Sequence, residues 1–261
     1  METLTPRPLV VCTFLWGTWP GGEASYLGPC YAETLRRAVY RHCKTQHRFV
    51  CFVDAQRGNM LARRCPGMEF LSIGDSPLVT SRGSGNLVKL KAFDLANGFS
   101  GHQVLVFDLD TIIIGNIDAI ASYRGRLAMR ADWAPPYPRV MVPGGDLISF
   151  NADAMAHIWT EATQHPERTI TDTGGSERKF WRLREGEQID YWQNIAPGKV
   201  VSFKRHCAQP GRHTTPPEGA AVVSCHGRPK PHDIAEYPQA EWAREAWGIP
   251  PKNMCRMAED V

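Results

Sequence analysis

A short apolar segment, residues 104–107, ends abruptly at two acidic residues, Asp108 and Asp110, before a second apolar run begins. A continuous apolar run of this length is typical of a strand buried on both faces, as in a parallel sheet. Such sheets bind ligands at the carboxyl ends of their strands. Buried carboxylates are costly unless they are paired, hydrogen-bonded or bound to a metal. The spacing therefore indicates a divalent-cation site, although an isolated Asp-x-Asp is also typical of an ordinary turn.

Buried strands and helices alternate along the first half of the chain. Residues 9–15 and 49–54 have the pattern of buried strands, residues 69–73 that of a weaker strand, and residues 23–43 and 87–96 that of helices. This alternation predicts βαβ units, and hence an α/β protein with a mixed, mainly parallel, Rossmann-like sheet flanked by helices. The glycine spacing of dinucleotide-binding folds and the lysine motif of P-loops do not occur in the sequence.

The second half of the chain predicts shorter elements. Strands are expected at residues 126–130, 146–150, 199–203 and 221–224, helices at 152–164, 185–195 and 239–247, and polar loops at 132–143 and 171–179. No linker-like stretch separates the halves, so a single domain is expected over residues 1–261. Within it we expect a first half at about 9–130, a second half at about 131–235, and a C-terminal helix and tail at 236–261.

Composition narrows the class of protein. An apolar content of 43% and a charged content of 22% are ordinary for a globular domain. A formal charge of +3 falls short of the basic footprint of a nucleic-acid-binding protein. No apolar stretch approaches the ~20 residues that span a bilayer. The eight cysteines are scattered without a Cys-x-x-Cys pair, which predicts neither a disulfide framework nor a zinc site, and a cytoplasmic location is expected.

A second distinctive segment is found at residues 222–231. There an apolar strand leads into His226, Gly227 and Lys230, and prolines flank the lysine. Imidazole is a frequent metal ligand, and a lysine on a rigid turn suits a phosphate. By itself, His226 is typical of a hydrogen-bonded strand-end residue. Together with the two aspartates, it leaves three positions of an octahedral Mn²⁺ or Mg²⁺ for phosphate oxygens or water.

These two segments resemble the motifs of GT-A glycosyltransferases, especially the glycogenin-like glycosyltransferase family 8. Residues 108–118 are similar to the metal-binding Asp-x-Asp segment of that family, and residues 226–231 to its late His-x-x-Gly-x-x-Lys-Pro motif. The order of the motifs also fits, and the resemblance covers roughly residues 9–232. It implies a GT-A-type fold, with a nucleotide-binding half at about 9–130 and a sugar and acceptor half at about 131–235. It also implies a metal-dependent, retaining hexosyltransferase with a UDP-sugar donor. The acceptor stays open between a carbohydrate, a lipid-linked molecule and a protein.

The resemblance implies roles for individual residues. Asp108, Asp110 and His226 are expected to bind Mn²⁺ or Mg²⁺, and Gly227 and Lys230 to contact the diphosphate. The remaining donor contacts fall on Thr13, Tyr26, Lys89 (with Lys91 as its rival) and Gly145, and the catalytic roles at the sugar fall on Glu187 and Asp190. The loops at 132–143 and 171–186 are the elements expected to face the acceptor, because such folds vary their function through loops.

The sequence departs from the family at three places. The late motif is two residues shorter between His226 and Lys230, residues 144–146 read Gly-Gly-Asp in place of Asn-Ser-Gly, and residues 187–188 read Glu-Gln in place of Asp-Gln. The first departure requires a tighter diphosphate turn. The second removes a side chain from the sugar pocket, and the third lengthens a carboxylate by one methylene.

Two other functions remain open on the sequence. A haloacid-dehalogenase-like phosphatase also has a strand that ends in Asp-x-Asp, and it would use Asp108 as its nucleophile. That motif normally opens its domain, whereas here a full α/β half precedes it. A nucleotide-sugar-binding protein without turnover is the non-enzymatic alternative.

Overall fold

The structure is a computed structural model that describes residues 7–16, 28–54, 58, 62, 65, 67–81, 83–133, 138–184, 188–208 and 214–248. Two predicted site residues, Tyr26 and Glu187, lie outside the described residues. Within the described ranges, no helix combines the length and the apolar character needed to cross a bilayer.

The described residues form two sheets. Their strands are β1 (Leu9–Leu15), β2 (His47–Val53), β3 (Glu69–Ser72), β4 (Gln103–Phe107), β5 (Thr111–Ile113), β6 (Leu127–Ala131), β7 (Pro143–Asn151), β8 (Asp190–Tyr191), β9 (Val200–Ser202) and β10 (Val222–Ser224). The large sheet has the order β3-β2-β1-β4-β7-β6-β8. Its first four strands run parallel, and β7 is antiparallel to both of its neighbours. This confirms the predicted mixed, mainly parallel sheet.

The small sheet brings the two sequence motifs together. It has the order β5-β10-β9, with β10 antiparallel to β5 and parallel to β9. In this register Thr111 lies opposite Ser224. The turn that contains Asp110 therefore lies beside the segment that follows β10, although more than a hundred residues separate them along the chain.

Helices cover both faces of the large sheet. In the described residues they are α1 (Pro29–His42), α2 (Pro77–Thr80), α3 (Asp118–Ala121), α4 (Ala152–Met155), α5 (His157–Gln164), α6 (Pro166–Thr173), α7 (Glu177–Arg182), α8 (Trp192–Ile195), α9 (Pro231–Ile234) and α10 (Glu241–Trp247), with 3₁₀ helices at Gly85–Phe93 and Leu95–Asn97 and a π-helical turn at Phe203–Cys207. Successive residues of a strand point to opposite faces. Accordingly, Val11 and Leu15 pack in one apolar core, and Val10 and Cys12 pack in the other.

Three predicted elements differ in the structure. The helix expected at residues 87–96 is a 3₁₀ helix over Gly85–Phe93. The segment 171–179, expected to be a polar loop, lies largely in α6 and α7, because Pro166 and the N-cap Ser176 start these helices. The helix expected at 185–195 is wrong at residues 190–191, which form β8 beside β6. Trp192 then begins the short α8 and is fully buried, so pairing and burial there override the helical spacing.

The cysteines differ from the expectation at one position. Cys30 is disulfide-bonded, whereas the other cysteines of the described ranges are free thiols. The scattered spacing did not predict this bond. The expected cytoplasmic location stays a prediction.

Candidate functional site

Charged side chains from six segments meet at the carboxyl end of β4. Asp108 follows the strand directly, and Asp110 lies in the turn before β5. The backbone N–H of Asp108 donates to the carbonyl oxygen of Asp146 at 3.0 Å, which fixes this turn against β7. Ion pairs then connect the cluster to the 3₁₀ helix Gly85–Phe93, to α7, to β6 and to the turn after β10.

Three acceptors enclose the ammonium group of Lys89. It forms ion pairs with Asp108 and, at 3.2 Å, with Glu177, and it donates to the carbonyl oxygen of Gly145 at 3.2 Å. An ammonium has three N–H donors, so these contacts use all of them. Although burial alone lowers the pKa of Lys89, the two carboxylates raise that pKa well above its usual value. In this arrangement Lys89 neutralises the carboxylates around it. Its expected contact with the sugar donor stays a prediction.

Glu177 was not singled out from the sequence, and it reaches Lys89 because two backbone segments approach closely. Gly85 and Gly175 both have positive φ angles, and a Cβ on Gly85 would clash with the carbonyl oxygen of Gly175. A backbone N–H of the 3₁₀ helix donates to the same carbonyl at 2.9 Å. Glu177 begins α7 immediately after this contact, and its side chain is only 4% exposed. The N-cap at Ser176 is the sequence signal that predicts this helix start.

The glycine pair at the start of β7 makes room for two charged side chains. A Cβ on Gly144 would clash with the guanidinium of Arg130, and a Cβ on Gly145 would clash with the carboxylate of Glu177. Glycine is therefore required at both positions to leave room for these two charged side chains. The carbonyl oxygen of Gly145 accepts a hydrogen bond from Lys89. The expected contact of Gly145 with the sugar donor stays a prediction.

Asp146 forms a second buried ion pair. Its carboxylate accepts from the guanidinium of Arg130 and from the hydroxyl of Ser224. Burial opposes ionisation, but Arg130 and Ser224 hold the pKa of Asp146 below its usual value. Arg130 also stacks over Trp133, with its Cζ 4.4 Å from the ring centroid. Asp146 is therefore a charged anchor between β6, β7 and β10.

Lys230 forms an ion pair with Asp110, across the junction of the two motifs. Its backbone N–H donates to the carboxylate of Asp233 at 2.8 Å. Two residues further on, His232 is hydrogen-bonded through Nδ1 to the buried hydroxyl of Tyr31 in α1. The first contact holds the turn together locally, and the second fixes it to α1.

The cluster contains more carboxylates than cations. Asp108, Asp110, Asp146 and Glu177 face Lys89, Arg130 and Lys230, so one carboxylate has no matching positive charge among these groups. Burial, together with the neighbouring carboxylates, raises the pKa of Asp108 to about 7 in spite of Lys89. Burial also raises the pKa of Glu177. The Asp108 side chain is 26% exposed, which makes it accessible to a ligand. The excess negative charge favours a proton or a metal cation at this position.

His226 contacts a different group of residues. Its Nε2 lies 2.7 Å from the hydroxyl of Ser202, and its ring stacks on Trp133 at a centroid distance of 6.2 Å. Burial lowers the pKa of His226, and the charge of Arg130 lowers it further. The imidazole is therefore neutral at pH 7, as a metal ligand must be. Binding a metal through Nε2 would require it to leave Ser202.

Whether a divalent cation fits this cluster depends on the metal-binding oxygens that a bound substrate would supply. Within the described residues, no group of three or more His, Cys, Asp or Glu side chains is arranged to hold a metal ion. Mg²⁺, however, is commonly bound through one or two carboxylates together with substrate phosphates and water. Asp108 and Asp110, with their excess negative charge, fit a cation that binds together with a diphosphate.

The remaining predicted residues are not part of these ion pairs. Thr13 is fully buried in β1, and its hydroxyl donates to the carbonyl oxygen of Phe107 at 2.9 Å. Asp190 accepts from the hydroxyl of Tyr123 at 2.8 Å, next to β6. Gly227 has a positive φ of 71°, which the turn before Lys230 requires. The roles predicted for these residues remain predictions.

A cavity lies at the carboxyl ends of β1, β2 and β3. Its volume is about 590 Å³, and its lining includes Trp16, Asp54, Ser72 and Asp75. Trp16 directly follows β1 and Asp54 directly follows β2. These positions correspond to the general location of ligands in open α/β sheets. An indole face, two carboxylates and a hydroxyl are suited to a base and a ribose.

Comparison with known proteins supports the fold. Neither a protein-family model nor a curated protein sequence matches the chain. Among solved structures, the chain is similar to the apo structure of WbbM, a bifunctional glycosyltransferase, with a TM-score of 0.57 and 10% sequence identity. The match covers 97% of this chain and 52% of the WbbM chain, so this chain spans about half the length of that structure. The architecture is accordingly a glycosyltransferase-type α/β fold.

Proposed function

We propose that this chain is a glycosyltransferase that transfers a hexose from a UDP-sugar to an acceptor. The observation that carries the proposal is the cluster at the end of β4, where two accessible carboxylates and Lys230 lie together on a glycosyltransferase-type fold. The excess carboxylate of that cluster is suited to Mn²⁺ or Mg²⁺ held by Asp108 and Asp110. His226 is proposed as a third ligand once it has left Ser202.

The chemistry follows from where negative charge develops. As the bond between the anomeric carbon and the phosphate oxygen breaks, charge grows on the departing diphosphate, and the ammonium of Lys230 stabilises it there. A divalent cation, when bound, supplies further positive charge to the same diphosphate. The acceptor oxygen then bonds to the anomeric carbon, and its proton passes to the departing diphosphate oxygen. Retention of configuration is proposed from the resemblance to the glycogenin-like family.

The cavity at the ends of β1, β2 and β3 is the proposed position of the nucleoside. There the indole of Trp16 offers a stacking surface for the uracil, and Asp54 or Asp75 offers an acceptor for ribose hydroxyls. Replacing Trp16 with alanine is expected to weaken UDP binding by about tenfold, since base–aromatic stacking contributes roughly 1–3 kcal/mol.

A second cavity is the proposed acceptor entrance. Its volume is about 400 Å³, and it lies between residues 140–143 and residues 181–184, with Tyr191 also in its lining. Both segments belong to the loops that the sequence predicts to face the acceptor. Trp181 links this cavity to the cluster, because its indole N–H donates to Glu177. The aromatic and arginine side chains at this entrance suit a sugar acceptor that carries a negative charge.

The test is a thermal-shift measurement with UDP and UDP-sugars, with and without Mn²⁺. A ligand present at 100 times its Kd stabilises the folded state by about 2.7 kcal/mol. We expect this stabilisation only with Mn²⁺, and we expect Asp108→Asn and Asp110→Asn to abolish it. Asp172→Asn is the matched control, because Asp172 makes only a long, exposed ion pair with Arg168. Unchanged UDP binding in both site variants would contradict the metal assignment.

Turnover distinguishes the remaining functions. A glycosyltransferase should release UDP slowly from its UDP-sugar in the presence of Mn²⁺, even without acceptor. Binding of the UDP-sugar without any UDP release would favour a non-catalytic protein. Burst release of phosphate from an aryl phosphate, with Asp108 phosphorylated, would favour the phosphatase.

A further inference from the structure

The ion pair between Lys230 and Asp110 places a protein cation on a carboxylate that the proposed function gives to a metal. We infer that Lys230 is an exchangeable counterion, which occupies Asp110 before the donor binds and moves to the diphosphate when a divalent cation binds Asp110. This inference rests on the proposed function and deepens it. Its consequence is that the protein binds the metal weakly in the absence of a diphosphate, whereas the metal and the diphosphate bind cooperatively.

The first support is that the side chain can move while its backbone is held. The N–H of Lys230 donates to Asp233 at 2.8 Å, and the neighbouring His232 is hydrogen-bonded to Tyr31. Pro231 restricts the backbone between them. By contrast, the lysine side chain is a flexible four-carbon stem with a compact charge. Lys230 can therefore change its partner without any rearrangement of the turn.

The second support is the contrast with Lys89. The Lys89 side chain is 7% exposed, and three acceptors use all of its donors. The Lys230 side chain is 24% exposed, and Asp110 is the one carboxylate with which it forms an ion pair in the described residues. Exposed donors can be transferred to a ligand at little desolvation cost, whereas buried ones cannot. Of the two lysines, Lys230 is thus the one that can exchange.

The third support is the charge of the cluster in each state. A divalent cation on Asp110 beside an unmoved Lys230 would bring like charges together, which is unfavourable at short range. A diphosphate supplies the negative charge that both cations need. When two ligands bind in this way, each raises the affinity for the other by the same factor.

The test is a titration of Mn²⁺ alone, with free Mn²⁺ measured by electron paramagnetic resonance, on the wild type and on Lys230→Met. Because the variant removes the competing cation, we expect it to bind Mn²⁺ about fivefold more tightly, as is typical for the loss of a partly exposed ion pair. In the presence of Mn²⁺, the same variant should bind UDP about tenfold more weakly, since it loses a charge-assisted hydrogen bond. An opposite effect on the two ligands is not expected from a merely structural lysine.

Two further variants serve as controls. Lys204→Met removes the same charge from the same neighbourhood, since the Lys204 ammonium lies beside Gly227 and not on Asp110. We expect it to change the Mn²⁺ affinity by less than about twofold, as for a screened surface charge. Lys230→Arg keeps the cation and should keep the weak Mn²⁺ affinity of the wild type, so it reports on the charge even if Lys230→Met is poorly folded.

Equal Mn²⁺ affinity in the wild type and Lys230→Met would overturn the inference. An increase in Mn²⁺ affinity in Lys204→Met as large as that in Lys230→Met would also overturn it. Failure of Lys230→Met to bind Mn²⁺ would overturn it as well. The proposed function fails on a different readout, namely the lack of UDP or UDP-sugar binding and of UDP release by the wild type. The two failures are therefore distinguishable in one set of titrations.

Discussion

Lys89→Met is the substitution that best tests the buried charge cluster. The change removes the cation that Asp108 and Glu177 share, and it leaves the partly exposed Asp108 and the buried Glu177 without that cation. Removing one partner of a buried ion pair costs about 3–5 kcal/mol. Because the Lys89 side chain is only 7% exposed and all three of its N–H donors are used, we expect the variant to lose this amount of stability at pH 8. Urea unfolding of the wild type and the variant measures the difference.

The cost of Lys89→Met should depend on pH in a defined direction. A carboxyl group whose pKa is raised on folding binds its proton more tightly in the folded state. Its contribution to stability therefore declines as the pH rises from about 4, the unfolded pKa, to about 7, the folded pKa of Asp108. Without Lys89, this decline becomes steeper. At pH 5 protonation neutralises the pair, and the cost should fall to the lost hydrogen bonds, about 1–2 kcal/mol.

Two variants complete the test. Glu177→Gln removes the second carboxylate, and in the Lys89→Met background it should restore about 1–3 kcal/mol at pH 8, as coupled neighbours do. Lys91→Met is the matched control on the same 3₁₀ helix, because Lys91 pairs with Asp94 at 2.6 Å in a more exposed setting. We expect it to cost about 1 kcal/mol. A pH-independent cost for Lys89→Met, or one equal to that of the control, would refute the reasoning.

Further predictions concern the same region. Gly145→Ala should lower stability by about 1–3 kcal/mol through overpacking against Glu177, and adding Glu177→Ala should relieve this loss in urea unfolding. Asp146→Asn should cost about 3 kcal/mol at pH 7 by leaving a buried guanidinium unpaired. Because the folded pKa of Asp146 is lowered, that difference should decline as the pH falls from about 4, the unfolded pKa, through the lowered folded pKa. His226→Gln should weaken Mn²⁺-dependent UDP binding more than His206→Gln does, and equal effects in calorimetry would remove His226 from the ligand set.

The strands and their acidic ends could be predicted from the sequence because the signals are local. A buried strand is a short apolar run, and Asp108 and Asp54 each follow such a run directly. The parallel arrangement followed from the alternation with helices. The positions of β8 and of the 3₁₀ helix before β4 were not predictable in this way, because pairing and burial there outweigh the local spacing.

The partners inside the site could not be predicted because they join distant segments. Glu177 meets Lys89 only through the close approach of Gly85 and Gly175, and Arg130 meets Asp146 only when β6 and β7 pair. No local pattern shows which cation neutralises which carboxylate. The glycine pair at residues 144–145 was one available signal, since paired glycines in a strand mark a close approach by other groups.

Burial explains why two lysines of the same chemistry have different roles in this site. A fully enclosed ammonium cannot leave its carboxylates without exposing them unpaired, so Lys89 holds the folded structure together around Asp108. A partly exposed ammonium remains in contact with water and with any anionic ligand that arrives, so Lys230 is free to exchange partners. Lys89 variants should therefore act mainly on stability, and Lys230 variants mainly on ligand affinity. Reversal of these two effects would mean that burial does not determine the role of either lysine.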